Sequence, residues 1–396
     1  MLKKINNWIH LWLGLISGVV VFIVSITGCM YVFHQEIEDQ LEPWRFVEPR
    51  NEAFVPPTQL IDTAQNYIHG KESSGLTYGS RNEAAAVGFS SFENGKRSFS
   101  VVYLNPYTGQ FIKKEETLGK GNFDFFHFIM DGHRALWLPY KIGQPIVGIC
   151  TLIFLVLLIT GLILWCPRKW DKKHLKVRLK VKFKSNFKRI NHDLHNVLGF
   201  YSLIFALMIA ITGLVWSFQW FDNSLYFIAS GGQQKPDEST IEILSDRTKA
   251  GTLSNDSIPA LDRAFYKAVS YRHDIHRIYL SPKIRKEDGV ISIYIYHQQG
   301  KFYDRNVYHY DQYTLNPIRV NGDRYSEASF ADQLTMLNYD IHTGAALGLV
   351  GKMIAFFVSL ICASLPITGF LVWWNKKKTQ SRNSSDLFQA KLNSQQ

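Results

Sequence analysis

Four histidines of this chain stand in a fixed relation to a tripeptide, Ile-Thr-Gly, that occurs four times. His10 and His195 each precede one copy by 16 residues, and both begin a short His-x-x-Leu-Gly pattern. His133 and His342 each stand in an Asp-x-His triplet and precede the other copies by 26 and 25 residues. Histidine is the commonest protein ligand of transition metals, so these two matched pairs are candidate ligand pairs.

Each copy of the tripeptide lies near one end of a long apolar run, and the four runs predict transmembrane helices. They cover residues 11–33, 142–165, 197–220 and 349–374. Each run has roughly 22–26 residues, which is enough to cross a hydrocarbon core of about 30 Å as a helix. Tryptophans at or near the ends of the runs are typical of the aromatic belts at membrane interfaces.

The distribution of positive charge predicts the orientation of these helices. Lysine and arginine are concentrated at the N-terminus, in residues 167–190 and in the C-terminal tail, within a chain of net charge +11. By the positive-inside rule, both termini and the 167–190 loop are cytoplasmic, and the two long loops face the periplasm or outside. The basic loop is therefore interpreted as a topology signal that contacts lipid headgroups, and nucleic-acid binding is disfavoured.

Each half of the chain is predicted to consist of a membrane helix, an exported segment and a second membrane helix. The predicted parts are transmembrane helix 1 (1–34), a first exported domain (35–138), transmembrane helix 2 (139–166), a basic cytoplasmic loop (167–190), transmembrane helix 3 (191–221), a second exported domain (222–338), transmembrane helix 4 (339–374) and a cytoplasmic tail (375–396). The predicted fold class is an integral membrane α-helical protein with an internal parallel duplication and two small exported α+β domains.

The two exported segments share one order of elements. Each begins with an amphipathic helix candidate, residues 57–68 in the first and 258–269 in the second, and strand-like stretches follow. Residues 290–296 alternate isoleucines with serine and tyrosine, a period of two that predicts a strand with one buried face.

The direction of the helices pairs the histidines. Helices 1 and 3 run one way and helices 2 and 4 the other, so His10 with His195 lies near the cytoplasmic face and His133 with His342 near the outer face. A parallel repeat places equivalent residues opposite each other across a pseudo-twofold axis. Two histidines that face each other across a helix bundle can provide both axial ligands of one haem. The chain lacks a C-x-x-C-H attachment motif, so two non-covalent b-type haems per chain are predicted.

Small residues near the first two ligands admit two interpretations. Gly14 and Gly199 each lie one helical turn after a histidine, where a missing side chain leaves room for a flat macrocycle. The alternative is close helix packing through Gly14 and Gly18. For the Ile-Thr-Gly copies, close packing is favoured, with the threonine hydroxyl bonded back into its own helix.

Further residues are secondary candidates. Reserve ligands are His34, His127 and His192, for which the favoured interpretation is a polar residue at the membrane boundary. Possible partners of the haem propionates are Arg134, Lys141 and Lys352, and the alternative for the lysines is snorkelling to the interface.

Four motifs together resemble the PepSY-associated transmembrane family over about residues 5–376. They are His10-Leu-Trp-Leu-Gly-Leu, Ile159-Thr-Gly-Leu-Ile-Leu-Trp165, Asp193-Leu-His-Asn-Val-Leu-Gly199 and Ile341-His-Thr-Gly344. The resemblance implies PepSY-like exported domains and a place in the bacterial inner membrane as part of an iron-regulated system. One branch of the family resembles haem-containing reductases of ferric siderophores.

The function expected from this resemblance is therefore a transmembrane ferric-siderophore reductase. It would take electrons from a separate donor, because the chain has no recognisable flavin- or nicotinamide-binding motif. The alternative is a PepSY-type peptidase inhibitor or sensory binding module that the helices anchor, without redox activity. Transport is a third possibility, suggested by the parallel repeat.

Overall fold

The structure is a computed structural model that describes residues 1–393 apart from 94–95, 119–123, 168, 237–242, 252–256, 271–274, 282–287 and 321. The chain forms two compact units. A helical unit comprises residues 1–33, 126–222 and 341–396, and a sheet unit comprises residues 34–125 and 223–340.

Four segments of the helical unit are long and apolar enough to cross a membrane. They are α1 (Leu2–Tyr31), α5 (Tyr140–Trp165), α7 (Phe187–Ser217) and Ala345–Lys378, which lies mostly in α11 (Gly348–Asn393). Both α1 and α7 pack against α5 and α11. The four predicted runs coincide with these helices, which confirms four candidate membrane helices.

Short helices connect or precede the long ones. They are α2 (His34–Leu41), α4 (Phe125–Ala135), α6 (Lys172–Leu179), α8 (Gln219–Ala229) and α10 (Phe330–Thr343). A break separates α4 from α5, where Leu136 and Trp137 adopt φ values of 54° and 58°. Such values are uncommon for large side chains. At the equivalent place after α10, Gly344 has a φ of 80°. The two breaks place His133 and His342 on short helices of their own.

The sheet unit contains one antiparallel sheet of eight strands in the order β4-β3-β2-β1-β5-β6-β7-β8. The strands of the first half are β1 (Glu72–Tyr78), β2 (Ala85–Glu93), β3 (Lys96–Leu104) and β4 (Phe111–Leu118). Those of the second half are β5 (Arg277–Ser281), β6 (Val290–Tyr296), β7 (Arg305–Asp311) and β8 (Pro317–Ile318). The strand predicted over residues 290–296 is thus β6.

The two segments that the sequence predicts to be exported differ from the expectation of two separate domains, because they share this sheet. β1 of the first segment pairs with β5 of the second, in the register Leu76 with Leu280 and Tyr78 with Ile278. In two separate modules, β1 and β5 would each be an edge strand with a row of unpaired backbone groups. Pairing them satisfies both rows, and the segments behave as two halves of one domain.

One core also serves both halves. The two amphipathic helix candidates are α3 (Pro57–Gln65) and α9 (Ala260–Ser270), which contact each other. Leu60 and Ala64 of α3 are buried one turn apart, and Phe265 of α9 is buried in the same cluster as the strands. The buried Asp262 of α9 accepts a hydrogen bond of 2.9 Å from the backbone N–H of Thr58, so a residue of one half caps a helix of the other.

Candidate functional site

The helical unit brings four histidines together in two pairs. In the first histidine pair, His10 of α1 and His195 of α7, the ring centroids are 6.4 Å apart and the ring planes meet at 81°. In the second histidine pair, His133 of α4 and His342 of α10, the centroids are 6.1 Å apart at 69°. These are the pairings that the register of the repeat predicts.

The two pairs lie near opposite ends of the long helices. His10 belongs to the first turns of α1, and His133 contacts Thr27 near the end of the same helix, with 3.4 Å between Nδ1 and Oγ1. The rise along α1 from residue 10 to residue 27 is about 25 Å. A group bound at each pair would therefore be separated from the other by most of the thickness of a membrane core.

Each histidine is held by the threonine of one Ile-Thr-Gly copy. The Nδ1–Oγ1 distances are 2.9 Å for His10 with Thr160, 2.9 Å for His195 with Thr368, 2.9 Å for His342 with Thr212 and 3.4 Å for His133 with Thr27. The threonine hydroxyls also donate to carbonyls four residues earlier in their own helices, as predicted. The sequence did not predict that these threonines also bond the histidines.

The anchors fix which ring nitrogen carries the proton. Nδ1 of His133 lies 2.9 Å from the carbonyl oxygen of Val24, and Nδ1 of His342 lies 3.1 Å from that of Ile209. At His10 and His195 the threonine hydroxyl already donates to a carbonyl of its own helix, so its oxygen accepts the bond from Nδ1. A carbonyl only accepts, so Nδ1 must be the donor, and Nε2 is left with its lone pair. Nε2 is then the nitrogen available to a metal, the orientation that outer-shell hydrogen bonds impose on ligand histidines.

Burial favours the same form of the second pair. It lowers the pKa of His342 to about 3, mainly through desolvation, and it also lowers the pKa of His133. Both rings are therefore neutral at physiological pH, which is the state in which imidazole binds a metal.

The glycine of each tripeptide provides the space for the ring. A Cβ atom built on the glycine would lie 3.0 Å from Cε1 of His133 at Gly28, 3.2 Å from that of His10 at Gly161, 3.3 Å from that of His342 at Gly213 and 3.1 Å from that of His195 at Gly369. Such contacts are tighter than most Cβ contacts in proteins. Each Ile-Thr-Gly copy is thus a histidine holder. Its threonine forms a hydrogen bond with Nδ1 of the imidazole, and its glycine leaves space for the ring at Cε1.

The first pair has an additional support. Asn6 donates a hydrogen bond of 3.1 Å to the carbonyl oxygen of Thr160, and Asn191 donates one of 3.0 Å to that of Thr368. Each asparagine lies one turn before its histidine. The asparagine and the histidine therefore bond the same threonine, one at its carbonyl oxygen and the other at its hydroxyl. The spacing of histidine to tripeptide signals the holder in the sequence, but it does not tell which helix supplies the partner threonine.

The separation of the rings suits a single metal atom between them. Imidazole nitrogens bind first-row metals at about 2 Å, and a ring nitrogen lies roughly 1 Å from the ring centre, so two axial imidazoles have centroids about 6 Å apart. The 6.4 Å and 6.1 Å separations agree with this value. The donor set and spacing at both pairs therefore fit the predicted haem iron.

A cavity of about 560 Å³ surrounds the first pair. This volume lies within the range of about 300–1,000 Å³ that is typical of pockets for small molecules and cofactors. Glycines line it on several helices, including Gly14, Gly18 and Gly199. A Cβ on Gly14 would meet only Leu157 at 3.9 Å, an ordinary contact, whereas one on Gly18 would lie 3.3 Å from Pro366. Gly14 and Gly199 thus face the cavity, as the macrocycle interpretation requires, and Gly18 also packs closely against α11.

With one exception, the secondary candidates are not among the described residues that line the cavity of the first pair. His34 begins α2 in the sheet unit, and His127 is half-exposed with its Nε2 3.4 Å from Asp131. Arg134 lies over the ring of Tyr140, Lys141 is exposed and Lys352 is half-exposed. His192 is the exception, because it lines the cavity of the first pair. The cations that line this cavity are Arg178 and Lys376, which the sequence pattern did not indicate.

These features define an integral membrane protein with four candidate spanning helices, a repeated histidine holder and a separate antiparallel sheet unit. The model of the PepSY-associated TM region matches residues 7–376, and the chain belongs to that family. The match confirms the resemblance read from the membrane motifs. Comparison with curated proteins gave no match.

Proposed function

We propose that this protein is an inner-membrane di-haem b-type reductase. It passes electrons from a separate donor, on the cytoplasmic side or in the membrane, to a periplasmic ferric siderophore and releases Fe(II). The proposal rests on the two histidine pairs. In each pair, threonine and glycine orient the imidazole rings so that Nε2 is left for a metal. When bound, the two haems would supply one-electron transfer between the faces of the membrane.

The histidines also limit how the substrate is reduced. Two histidines would hold each haem iron, so the protein side chains would leave no position on the iron for the ferric complex. The chain then only has to hold the complex near the second pair, where one electron converts Fe(III) to Fe(II). Fe(II) is held less tightly by hard oxygen ligands, so reduction favours release of the iron.

The charge distribution supports a side of the membrane for each part. Under the positive-inside rule, both termini and the basic loop are cytoplasmic, and the sheet unit is periplasmic. The second pair is then the outer site, and the periplasmic sheet unit would bind the ferric chelate. The substrate class itself rests on the family resemblance, because the geometry of the two sites names only a metal.

Haem content is the first test. The purified chain should carry two non-covalent haems by pyridine haemochrome assay, and its absorbance should show a Soret band that shifts on reduction. A colourless protein from haem-replete cells that also fails to take up added hemin would exclude the redox function. It would leave the anchored PepSY module as the better description.

Electron transfer is the second test. Protein reduced anaerobically in nanodiscs should be reoxidised by ferric siderophores, while a ferrous chelator traps the Fe(II) formed. His342→Ala should slow this transfer, and His127→Ala is the matched control, because His127 is a half-exposed histidine that pairs with Asp131. Reduced protein that is stable against every ferric complex but is oxidised by a quinone would keep the redox activity and exclude the siderophore.

A further inference from the structure

The basic loop contributes part of the wall of the cavity around the first pair. Its helix α6 supplies Arg178, and Lys376 of α11 lines the same cavity. Among the described residues that line it, these cations are accompanied by asparagine, serine, histidine and many apolar side chains, and by no carboxylate. A ligand that fills this cavity is therefore expected to be mostly apolar and to carry negative charge at one edge.

Hydrogen bonds fix α6 in this place. Trp165 at the end of α5 donates from its indole nitrogen to the carbonyl oxygen of Arg178 (3.3 Å), and Nη1 of Arg178 donates to the carbonyl of Leu164 (3.4 Å). Tyr201 of α7 donates to the carbonyl of Leu179 (3.3 Å). The helix is thus tied to both of the membrane helices between which it lies.

The residues after α6 are anchored as well. The buried carboxylate of Asp193 accepts from the backbone N–H of Lys182 (3.3 Å) and pairs with Arg189 (2.8 Å). Asp193 precedes His195 by two residues on α7. The loop therefore has a defined path beside the first pair, beyond what a topology signal or contact with lipid headgroups requires.

We propose that Arg178 and Lys376 bind the two propionate groups of the haem held by His10 and His195. The assignment rests on the proposed function, because it presupposes haem at this pair. Haem is a flat apolar macrocycle with two carboxylates on one edge, and the cavity offers apolar walls with two cations. Arginine recognises carboxylates through a planar fork of donors and lysine through a point charge. The basic loop then serves as a wall of the cofactor site.

The test isolates the first site and alters the charges on both sides of the contact. In a His342→Ala background, Arg178→Gln and Lys376→Gln are compared for the rate of haem transfer to apomyoglobin. Each should accelerate transfer roughly two- to tenfold, as expected for a partly exposed charge pair, and the double variant more. The same proteins are loaded with haem dimethyl ester, which lacks the carboxylate charges. The ester should dissociate at similar rates from the His342→Ala background and from the double variant.

Two neighbouring lysines provide matched controls. Lys176→Gln changes the same helix as Arg178, and Lys377→Gln changes the residue next to Lys376, but neither lines the cavity. Both should transfer haem at the rate of the background. The midpoint potential of the bound haem should fall in Arg178→Gln and Lys376→Gln, because loss of a nearby cation favours the ferric state, and change less in the controls.

The outcomes separate the two proposals. Equal effects of cavity and control substitutions, or an ester that leaves the background as slowly as haem does, overturn the propionate assignment while the haem protein stands. Absence of haem from the unsubstituted protein overturns the proposed function, and the propionate assignment with it.

Discussion

The two histidine pairs are held by the same device in different surroundings. Both use a threonine oxygen for Nδ1 and a glycine beside Cε1, and in the second pair Nδ1 also bonds a helix carbonyl. The first pair lies on the long helices α1 and α7, has asparagine supports and faces a cavity with two cations. The second pair lies on the short helices α4 and α10 beyond chain breaks. The repeat thus preserves ligand orientation, while the surroundings differ between the two ends.

The largest expected effect comes from removing one ligand. His10→Ala should abolish haem at the first pair and leave the second, and His133→Ala should do the reverse, so each variant retains about half of the haem. Absorbance and electron paramagnetic resonance spectra of the two variants should add up to the spectrum of the unsubstituted protein. Loss of all haem from either folded variant would mean that the two pairs are one site.

His192 offers a control for the neighbouring ligand. It lies one turn before His195 and lines the same cavity. His195→Ala should lose the first haem, and His192→Ala should keep it. Full haem in His195→Ala would move the ligand to His192.

The next effect comes from filling the space beside a ring. Gly161→Val should displace His10, because even a Cβ at this position lies 3.2 Å from Cε1. Gly213→Val should displace His342 in the same way. Loss of one haem, or a high-spin spectrum from a lost axial ligand, is expected in each. Gly161→Ala, which adds only the Cβ, is the matched comparison and should displace His10 less than Gly161→Val does.

Removing the threonine hydroxyls should have smaller and graded effects. Thr160→Val deletes a 2.9 Å bond to His10, whereas Thr27→Val deletes a 3.4 Å contact to His133, whose Nδ1 keeps a 2.9 Å bond to Val24. Loss of such an outer-shell partner typically costs about 10- to 100-fold in metal affinity. Haem dissociation rates should therefore rise more in Thr160→Val than in Thr27→Val. Equal haem dissociation rates in the two variants would show that the threonine hydroxyls do not orient the rings.

The smallest effect concerns the two asparagines that support the first pair. Asn6→Ala and Asn191→Ala each remove a hydrogen bond between neighbouring helices, worth about 1 kcal/mol. Thermal unfolding of the protein in detergent should shift down slightly, with haem at the second pair unchanged. A loss of haem from the second pair in Asn6→Ala would contradict the independence of the two sites.

Much of this arrangement follows from the sequence. The long apolar runs mark the membrane helices, and the matched spacing of His10 and His195 indicates their pairing. The partner of each ring does not follow, because it depends on which helices are neighbours and how each is rotated. Thr160 binds His10 only because α5 packs against α1 with that residue facing it.

The sheet shows a similar limit. The alternation in Val290–Tyr296 predicts β6 and its buried face. It does not reveal that β1 and β5 pair, because an edge strand carries no residue pattern that names its partner. Arg178 was missed for a related reason. In the sequence, a lysine- and arginine-rich loop indicates only positive charge at a membrane surface. In the structure, hydrogen bonds to α5 and α7 fix the loop so that Arg178 lines the cavity.

The way the anchors cross between helices has a mechanical consequence. His10 of α1 is bonded to α5, and His133 of α4, the short helix before α5, is bonded to α1. In the same way, His195 of α7 is bonded to α11, and His342 of α10, the short helix before α11, is bonded to α7. The rings of each pair, however, come from different halves of the chain. A metal bound between two such rings is a staple across the seam between the halves. Without it, the seam within the helical unit depends on packing of α1 against α11 and of α5 against α7. Cofactor insertion would then be the step that locks the two halves of the helical unit together, in addition to the β1–β5 pairing in the sheet unit.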